Sequence, residues 1–271
     1  MFENMKIGMR LGLGFGFVLL SSPAWSYQPL VTDDTGTQGA GGNQIEVSYG
    51  HQRDTVNGVS GETITRTVPL VFTRGVTDTL DLYVGATRQR IHTDDGAGTT
   101  GAETGWGNVA IGAKWRIYEN EASKLSLGLK PEVQFAVSDG EEARGLGAGR
   151  TSYGMTFIAT RETAFGAVHF NLAANRVNYS LQANQDALRS DQYRVSVAPV
   201  WQATEKLKLA LDLGVRTNPD VTRDPWMGYV EAGLVYSPRD DFDLALGVIH
   251  NTNDGNANTT QMLVGLTWRF K

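Results

Sequence analysis

The sequence contains no cysteine, and beyond its N-terminus it has no long apolar run. Without cysteine the chain cannot form disulfides, thiolate metal sites or a cysteine nucleophile. No segment after residue 26 reaches the roughly 18 consecutive apolar residues that a transmembrane helix needs. The formal net charge is −5, whereas nucleic-acid-binding proteins carry an excess of basic residues. Nucleic-acid partners and helical membrane spans are therefore not expected.

The first 26 residues have the three parts of an export signal. Lys6 and Arg10 precede an apolar run at 11–20, and Pro23 and the segment Ala24-Trp25-Ser26 follow it. The run is too short for a membrane anchor. Its basic start, apolar centre and small residues near the end are typical of a secretory signal peptide. The sequence therefore predicts a signal peptide over 1–26, cleaved after Ser26.

Residues 27–42 form an N-terminal lead-in that is rich in glycine and threonine and has no strand or helix period. The lead-in is too long for a turn and too polar for contact with lipid. One interpretation is a plug whose backbone is satisfied by the polar wall of a barrel. In that arrangement Asp33 and Asp34 would meet lumen cations such as Lys114, Lys130 or Arg269. The alternative is a disordered terminus.

From residue 43 onward, apolar residues recur at every second position. In 207–215, leucine and valine alternate with Lys208, Ala210, Asp212 and Gly214. Successive side chains of a strand point to opposite faces, so each such segment has one apolar and one polar or small face. The pattern predicts a β-domain over 43–271 with strands near 44–53, 63–73, 79–91, 106–118, 124–137, 151–161, 165–176, 191–202, 206–216, 227–237, 242–250 and 259–270.

The connections between these strands alternate in length. Short ones are expected at 74–78, 119–123, 162–164, 203–205 and 237–241. Long ones are expected at 54–62, 92–105, 138–150, 177–190, 217–226 and 251–258. Outer-membrane barrels have short periplasmic turns and longer external loops. We therefore predict an all-β fold, a transmembrane antiparallel up-and-down β-barrel of about 12 strands. A soluble barrel or sandwich is the alternative, but it has no reason to sort connections by length.

Aromatic residues lie mostly near the predicted strand ends. In a membrane barrel they would form two interfacial girdles, although aromatic residues also favour strands in general. The members are Tyr49, Trp106, Trp115, Tyr118, Tyr153, Tyr193, Trp201, Trp226, Tyr236 and Trp268. The last strand alternates up to Phe270, with Lys271 after it. A last strand of this kind predicts recognition by a barrel-insertion machinery. Outer-membrane lipid is the other expected partner.

Three short segments together resemble one bacterial family. They lie at 29–39, 107–114 and 265–270, so they span the chain from the lead-in to the last strand. The family is the MetA-pathway of phenol degradation family of outer-membrane transporters. The family often has a proline after its middle strand, whereas this chain reads Val137-Ser138-Asp139-Gly140. The resemblance implies an outer-membrane barrel and passage of small molecules, including aromatic ones. It supplies no catalytic motif.

If the apolar face contacts lipid, the opposite face lines the lumen. A Lys or Arg that faces lipid at the bilayer midplane costs about 2–4 kcal/mol, which explains why charged residues are confined to one face of each strand. One interpretation is a channel lining whose charges bias permeation. The other is a salt-bridged, filled interior, since about twelve strands lie between filled barrels of about 8 and open ones of 16–18. The candidates are Glu46, Asp81, Lys114, Arg116, Lys130, Glu132, His169, Asn171, Arg194, Lys208, Asp212, Arg216, Glu231, Asp243 and Arg269.

Residue patterns for enzyme chemistry are weak. His169-Phe170-Asn171 lacks the serine that outer-membrane phospholipases have two places after the histidine, and a nucleophile needs such a base within reach. The segment 92–95 is better interpreted as solvated loop charge, and 253–256 as a turn without the twelve-residue calcium loop. We predict no catalytic residues, no cofactor and no metal. The expected function is passive passage of small molecules, hydrophobic or aromatic ones included, through an outer-membrane channel. A structural or adhesive barrel is the alternative, and a membrane enzyme a distant one.

Overall fold

A computed structural model of the chain describes residues 28–252, 255 and 257–271. The predicted signal peptide and its cleavage site lie outside the described residues, as does most of the turn at 253–256. Within the described part of the chain, no helix is long and apolar enough to cross a membrane.

Thirteen antiparallel strands form one sheet that closes on itself. The closing pair is the first and last strand, which run from Asn43 opposite Phe270 to Val56 opposite Ala257. Apart from the break described next, neighbours in the barrel are neighbours in the chain, so the predicted up-and-down barrel is confirmed. The strands are β1 (Asn43–Val56), β2 (Glu62–Gly75), β3 (Leu80–Asp94), β4 (Thr100–Trp106), β5 (Ala110–Asn120), β6 (Leu125–Gln134), β7 (Ser152–Thr163), β8 (Gly166–Arg176), β9 (Asp191–Thr204), β10 (Leu207–Thr217), β11 (Trp226–Arg239), β12 (Phe242–Thr252) and β13 (Ala257–Phe270).

Two of these strands share one position in the wall, which gives twelve positions in all. Both β4 and β5 pair with β3, with Trp106 opposite Arg88 and Ala110 opposite Gly85. The prediction of a single strand at 106–118 is therefore wrong. The chain after β6 also departs from prediction, because β6 ends at Gln134 instead of continuing to 137. The side chain of Asn108 fills the break between β4 and β5. Its Nδ2 donates to the backbone carbonyl oxygens of Phe135 and Ala148, which follow β6 in the chain.

The faces of the barrel are inverted relative to a soluble protein. In β12 the outward Leu246 is 48% exposed, whereas the inward Asp243 is only 8% exposed. The same alternation recurs in β10, where Asp212 is buried between the exposed Leu209 and Leu213. All ten aromatic residues assigned to the girdles are exposed as well. An apolar exterior around a polar interior is the pattern of a barrel whose outer face contacts lipid.

The two ends of the barrel differ in their connections. At one end, the turn end, connections have two to four residues. At the other, the loop end, the longest connections are 135–151, 177–190 and 218–225. The connections predicted at 54–62, 92–105 and 251–258 are much shorter than expected, because the flanking strands extend into them. These extensions are polar on both faces, so the apolar alternation that marks a strand is lost there.

Two short helices that the sequence analysis did not predict lie in the long loops. They are α1 (Asp139–Ala143) and α2 (Gln182–Ala187). The first begins with a capping box, in which Ser138 and Glu141 satisfy each other's backbone N–H groups. This spacing is visible in the sequence as Ser-x-x-Glu, a known helix start.

Candidate functional site

The candidate site is the barrel interior, where the fifteen predicted lumen residues lie. Eleven of them are less than 10% exposed: Glu46, Asp81, Lys130, Glu132, His169, Asn171, Arg194, Asp212, Arg216, Glu231 and Asp243. The other four, Lys114, Arg116, Lys208 and Arg269, are half-buried. None of the fifteen is on the exposed outer face. That they line a pore stays a prediction, because burial alone does not establish passage.

The lead-in contacts these inward side chains along much of the barrel circumference. Its first contacts are with β11 and β10. The Val31 N–H donates to Oε2 of Glu231 at 3.1 Å. Thr32 donates to Asp212 twice, from its N–H at 2.6 Å and from its hydroxyl at 2.8 Å. These bonds satisfy the backbone of an irregular segment with acidic side chains of the wall, which is the arrangement that a polar lumen permits.

Asp33 is the most heavily bonded residue of the lead-in. Its carboxylate lies 2.6 Å from Nζ of Lys130 and 3.4 Å from Nζ of Lys114. Its backbone pairs with Asn171, whose amide accepts from the Asp33 N–H and donates to the Asp33 carbonyl, both at 2.8 Å. A buried charge costs much free energy unless it is paired and hydrogen-bonded, and Asp33 is both.

The rest of the lead-in continues around the wall to β3. The Thr35 N–H donates to the hydroxyl of Thr160 in β7 at 3.1 Å, and the Thr35 hydroxyl lies 2.5 Å from that of Ser126 in β6. The Gln38 N–H donates to both carboxylate oxygens of Asp81, at 3.0 and 3.1 Å. The lead-in thus follows the wall from β11 to β3 before it enters β1.

An apolar contact fixes the start of this path. Leu30 is 2% exposed and packs with Ala198, Val200 and Ala210. Nearby, Pro29 lies so close to β12 that a Cβ added at Gly247 would be 2.9 Å from the Pro29 Cβ. Only glycine permits this approach without displacing the backbone or the proline.

At the loop end, Glu142 connects two long loops. Its side chain is almost fully buried, and its carboxylate accepts four hydrogen bonds from N–H donors. The donors are the backbone N–H groups of Gly149, Ser180 and Leu181 and the side-chain amide of Asn184, at 2.5 to 3.0 Å. Burial, together with this neighbouring carboxylate, raises the pKa of Tyr179 above its ordinary value. Such charge-assisted bonds are stronger than neutral ones, so these loops are firmly held together.

A single arginine connects the next pair of loops. Arg189, which follows α2, donates to four backbone carbonyl groups of the β10–β11 loop, those of Asn218, Asp220, Val221 and Arg223. Neither Glu142 nor Arg189 was predicted as functional. Both lie in loops, where the sequence offers no periodic signal.

Three cavities follow one another inside the barrel. The upper cavity, at the loop end, includes Asp54, Asp220 and Met227. The middle cavity includes Met227, Arg194, Arg216, Tyr83 and Lys130. The lower cavity includes Tyr83, Lys130, Asp33, Glu46 and Arg269. Adjacent cavities share lining residues, Met227 above and both Tyr83 and Lys130 below, so the three cavities lie next to one another inside the barrel.

His169-Phe170-Asn171 is the strand segment considered above for enzyme chemistry. His169 is buried in the wall, and its Nδ1 lies 3.0 Å from the hydroxyl of Thr160. Among the described residues, no group of three or more His, Asp or Glu side chains is arranged to hold a metal ion.

The sequence matches one protein family over almost the whole described length. The family model, described as "Putative MetA-pathway of phenol degradation", matches residues 28–270. No curated protein matches the sequence. The matched range includes the lead-in as well as the barrel.

Solved outer-membrane proteins share the fold at low sequence identity. A COG4313 outer membrane channel from Pseudomonas putida F1 has a TM-score of 0.70 and 16% identity, over 88% of this chain and 98% of that one. The NanC porin has a TM-score of 0.58 and 12% identity, over 83% and 98%. The KdgM porin has a TM-score of 0.54 and 9% identity, over 83% and 99%. At these identities the likeness establishes the fold alone.

Proposed function

Because the chain belongs to the MetA-pathway of phenol degradation family, we propose that it is an outer-membrane channel for passive passage of small molecules, hydrophobic and aromatic ones included. The observation that carries this proposal is the series of adjacent cavities inside a barrel with an apolar exterior. A barrel whose interior was fully packed with side chains would not contain such a series of cavities. The similar structures, named as a channel and as porins, agree with this function.

The outer membrane is the location that fits the outer face. Lipid-facing leucines and valines with aromatic residues toward the strand ends suit a bilayer. With twelve positions in the wall, both ends of the barrel domain lie at the turn end, which we assign to the periplasm. The loop end, with its interlocked long loops, then faces outward. Recognition of β13 by an insertion machinery stays a prediction.

We assign the lead-in the role of a plug that narrows the lower half of the channel. Its hydrogen bonds and ion pairs with β11, β10, β8, β6 and β3 support this role, since they hold it against the wall. The lower cavity lies beside the lead-in and includes its residues Asp33, Asp34 and Gln38. Solutes would therefore pass between the lead-in and the wall formed by β1, β3 and β13.

Solute uptake by proteoliposomes tests the channel directly. Full-length protein is refolded into liposomes, and swelling is followed with small polar solutes such as arabinose and glycine. Polar solutes are the right probes because hydrophobic ones cross lipid unaided. We expect faster swelling than in protein-free liposomes or in liposomes with the same amount of unfolded protein. Equal rates in all three would refute the channel and favour a structural barrel.

A further inference from the structure

Two buried arginines face each other across neighbouring strands of the middle cavity. The register of β9 and β10 places Arg194 directly opposite Arg216. Each is 7% exposed, and both line the same cavity. Like charges directly opposite each other destabilise a sheet, and burial adds a desolvation cost. Such a pair calls for a compensating negative group.

The protein compensates these two side chains unequally. Nη2 of Arg216 donates to Oδ1 of Asn251 at 2.8 Å, and its guanidinium lies 5.7 Å from the ring centre of Tyr229. In contrast, Nε and Nη2 of Arg194 have no hydrogen-bond partner among the described residues. These are buried donors of a charged group, and an unsatisfied buried donor is costly.

The acidic groups near this pair are already engaged. Asp212, whose charge acts on Arg194, accepts two bonds from Thr32 and one from the Tyr229 hydroxyl at 3.0 Å. Glu132, the one carboxylate of the middle cavity, accepts from the Tyr83 hydroxyl at 3.0 Å and from Gln134. Neither carboxylate hydrogen-bonds to Arg194, so within the described residues its charge has no direct ion-pair partner.

The two unpartnered nitrogens of Arg194 indicate which group would match them. Nε and Nη2 lie on one edge of the planar guanidinium, where their N–H bonds run side by side. A carboxylate accepts such a pair with its two oxygens, in the bidentate arrangement typical of arginine. A cation would be repelled here, and a neutral carbonyl group can accept from these donors but brings no charge to offset the two arginines.

We propose that Arg194, supported by Arg216, forms a binding subsite for a small carboxylate anion in the middle of the channel. This inference rests on the proposed channel function and names a class of solute that the channel takes. The anion lies in the middle cavity, and because Nε and Nη2 are buried in this structure, the Arg194 side chain turns so that this edge meets the carboxylate. Its positive neighbour Lys130 is held by Asp33, so the anion neutralises the arginine pair.

The acidic upper cavity does not conflict with this subsite. Two of its carboxylates are in ion pairs at the loop end: Glu62 pairs with Arg53 at 2.6 Å and Asp220 with Arg223 at 3.3 Å. Backbone N–H groups of Ala97 and Thr99 hold the pKa of Asp95 below its usual value. At physiological salt, exposed charges more than about 8 Å away are largely screened.

Direct binding tests the subsite without requiring conduction. Full-length protein folded in detergent is dialysed to equilibrium with radiolabelled benzoate in a chloride buffer, and benzamide serves as the neutral isostere. We expect saturable benzoate binding, much weaker benzamide binding, and a benzoate affinity at least tenfold lower in Arg194→Gln than in the wild type. Arg194→Lys keeps the charge but loses the two side-by-side N–H donors, so its benzoate affinity should lie between those of the wild type and Arg194→Gln. Arg239→Gln removes one exposed charge at the turn end and should bind like the wild type.

The outcomes separate this proposal from the channel itself. Equal benzoate affinity in the wild type and Arg194→Gln overturns the subsite, as does benzamide binding as tight as benzoate. If Arg194→Gln does not fold, the comparison of Arg194→Lys with Arg239→Gln decides in the same way. Liposome swelling without Arg194-dependent binding refutes the subsite and keeps the channel. Arg194-dependent binding without swelling refutes the channel and keeps an anion-binding barrel.

Discussion

Buried charges are paired differently in two regions of the barrel interior: the lower half, beside the lead-in, and the upper half, from Arg194 and Arg216 to the loop end. In the lower half, the lead-in brings Asp33 within 2.6 Å of Lys130, and the buried cation is paired within the chain. In the upper half, Arg194 lies opposite Arg216, and two of its donors have no partner in the described chain. The difference teaches that burial and inward orientation alone do not define a solute site. A paired charge builds the interior, whereas an unmatched one is left for a ligand.

The largest expected effect comes from unpairing a charge in the lower half. Asp33→Ala leaves Lys130 buried without its closest anion, and breaking a buried ion pair from one side costs about 3–5 kcal/mol. We expect this loss in the free energy of unfolding, measured by urea titration of the protein folded in micelles.

The matched control is the next residue along the chain. Asp34 is half-buried, and its carboxylate is 3.4 Å from Nζ of Lys114. Asp34→Ala should therefore lower the stability much less than Asp33→Ala. Equal losses would mean that the close pairing of Asp33 is not what stabilises the lower half.

A smaller effect is expected at the loop end, where the Glu142 carboxylate already has its hydrogen-bond partners within the chain. Glu142→Gln replaces an acceptor-only carboxylate with an amide whose NH2 group would face N–H donors. Each lost bond to a charged group is worth about 1.5–3 kcal/mol. We expect the loops to open, seen as faster trypsin cleavage after Arg144, Arg150 and Arg189 while the barrel stays resistant.

Glu141→Gln is the control for the loop experiment. Gln at this position still completes a capping box with Ser138, so α1 should persist and cleavage should remain slow. If Glu142→Gln resists trypsin as well as this control does, the hydrogen bonds accepted by Glu142 are not what holds the loops together.

The smallest effect has the opposite sign. Arg194→Gln removes one of two facing like charges, and such cross-strand pairs are worth about 0.2–1 kcal/mol. In chloride buffer the variant should be slightly more stable than the wild type. Added benzoate should stabilise the wild type by mass action and leave the variant unchanged. A destabilised variant in chloride buffer would indicate that Arg194 has a structural partner within the chain.

The barrel and its two faces could be predicted from the sequence because alternation is local. Each strand must present apolar residues to lipid and polar ones inward, so Leu209 and Asp212 reveal their faces without knowledge of their neighbours. For the same reason none of the fifteen residues assigned to the lumen is exposed, although that they line a pore stays a prediction. The strand extensions beyond the bilayer were missed, because both of their faces are polar.

The contacts that distinguish the two halves could not be predicted, since they join distant parts of the chain. Thr32 and Asp212 are 180 positions apart, and no local pattern connects them. Arg194 and Arg216 were both assigned inward, but their opposition depends on the register of β9 and β10. The break between β4 and β5 depends in turn on the loop after β6, whose Phe135 and Ala148 carbonyls accept from the Asn108 side chain.

Deleting residues 28–40 tests most directly whether the interior is a solute path that the lead-in narrows. Single-channel conductance of the deletion and of the wild type is measured in planar bilayers, and heat-dependent gel mobility verifies that both barrels are folded. We predict that the deletion conducts several-fold more than the wild type. A folded deletion variant with unchanged conductance would contradict the account, because the lead-in would then not restrict the path.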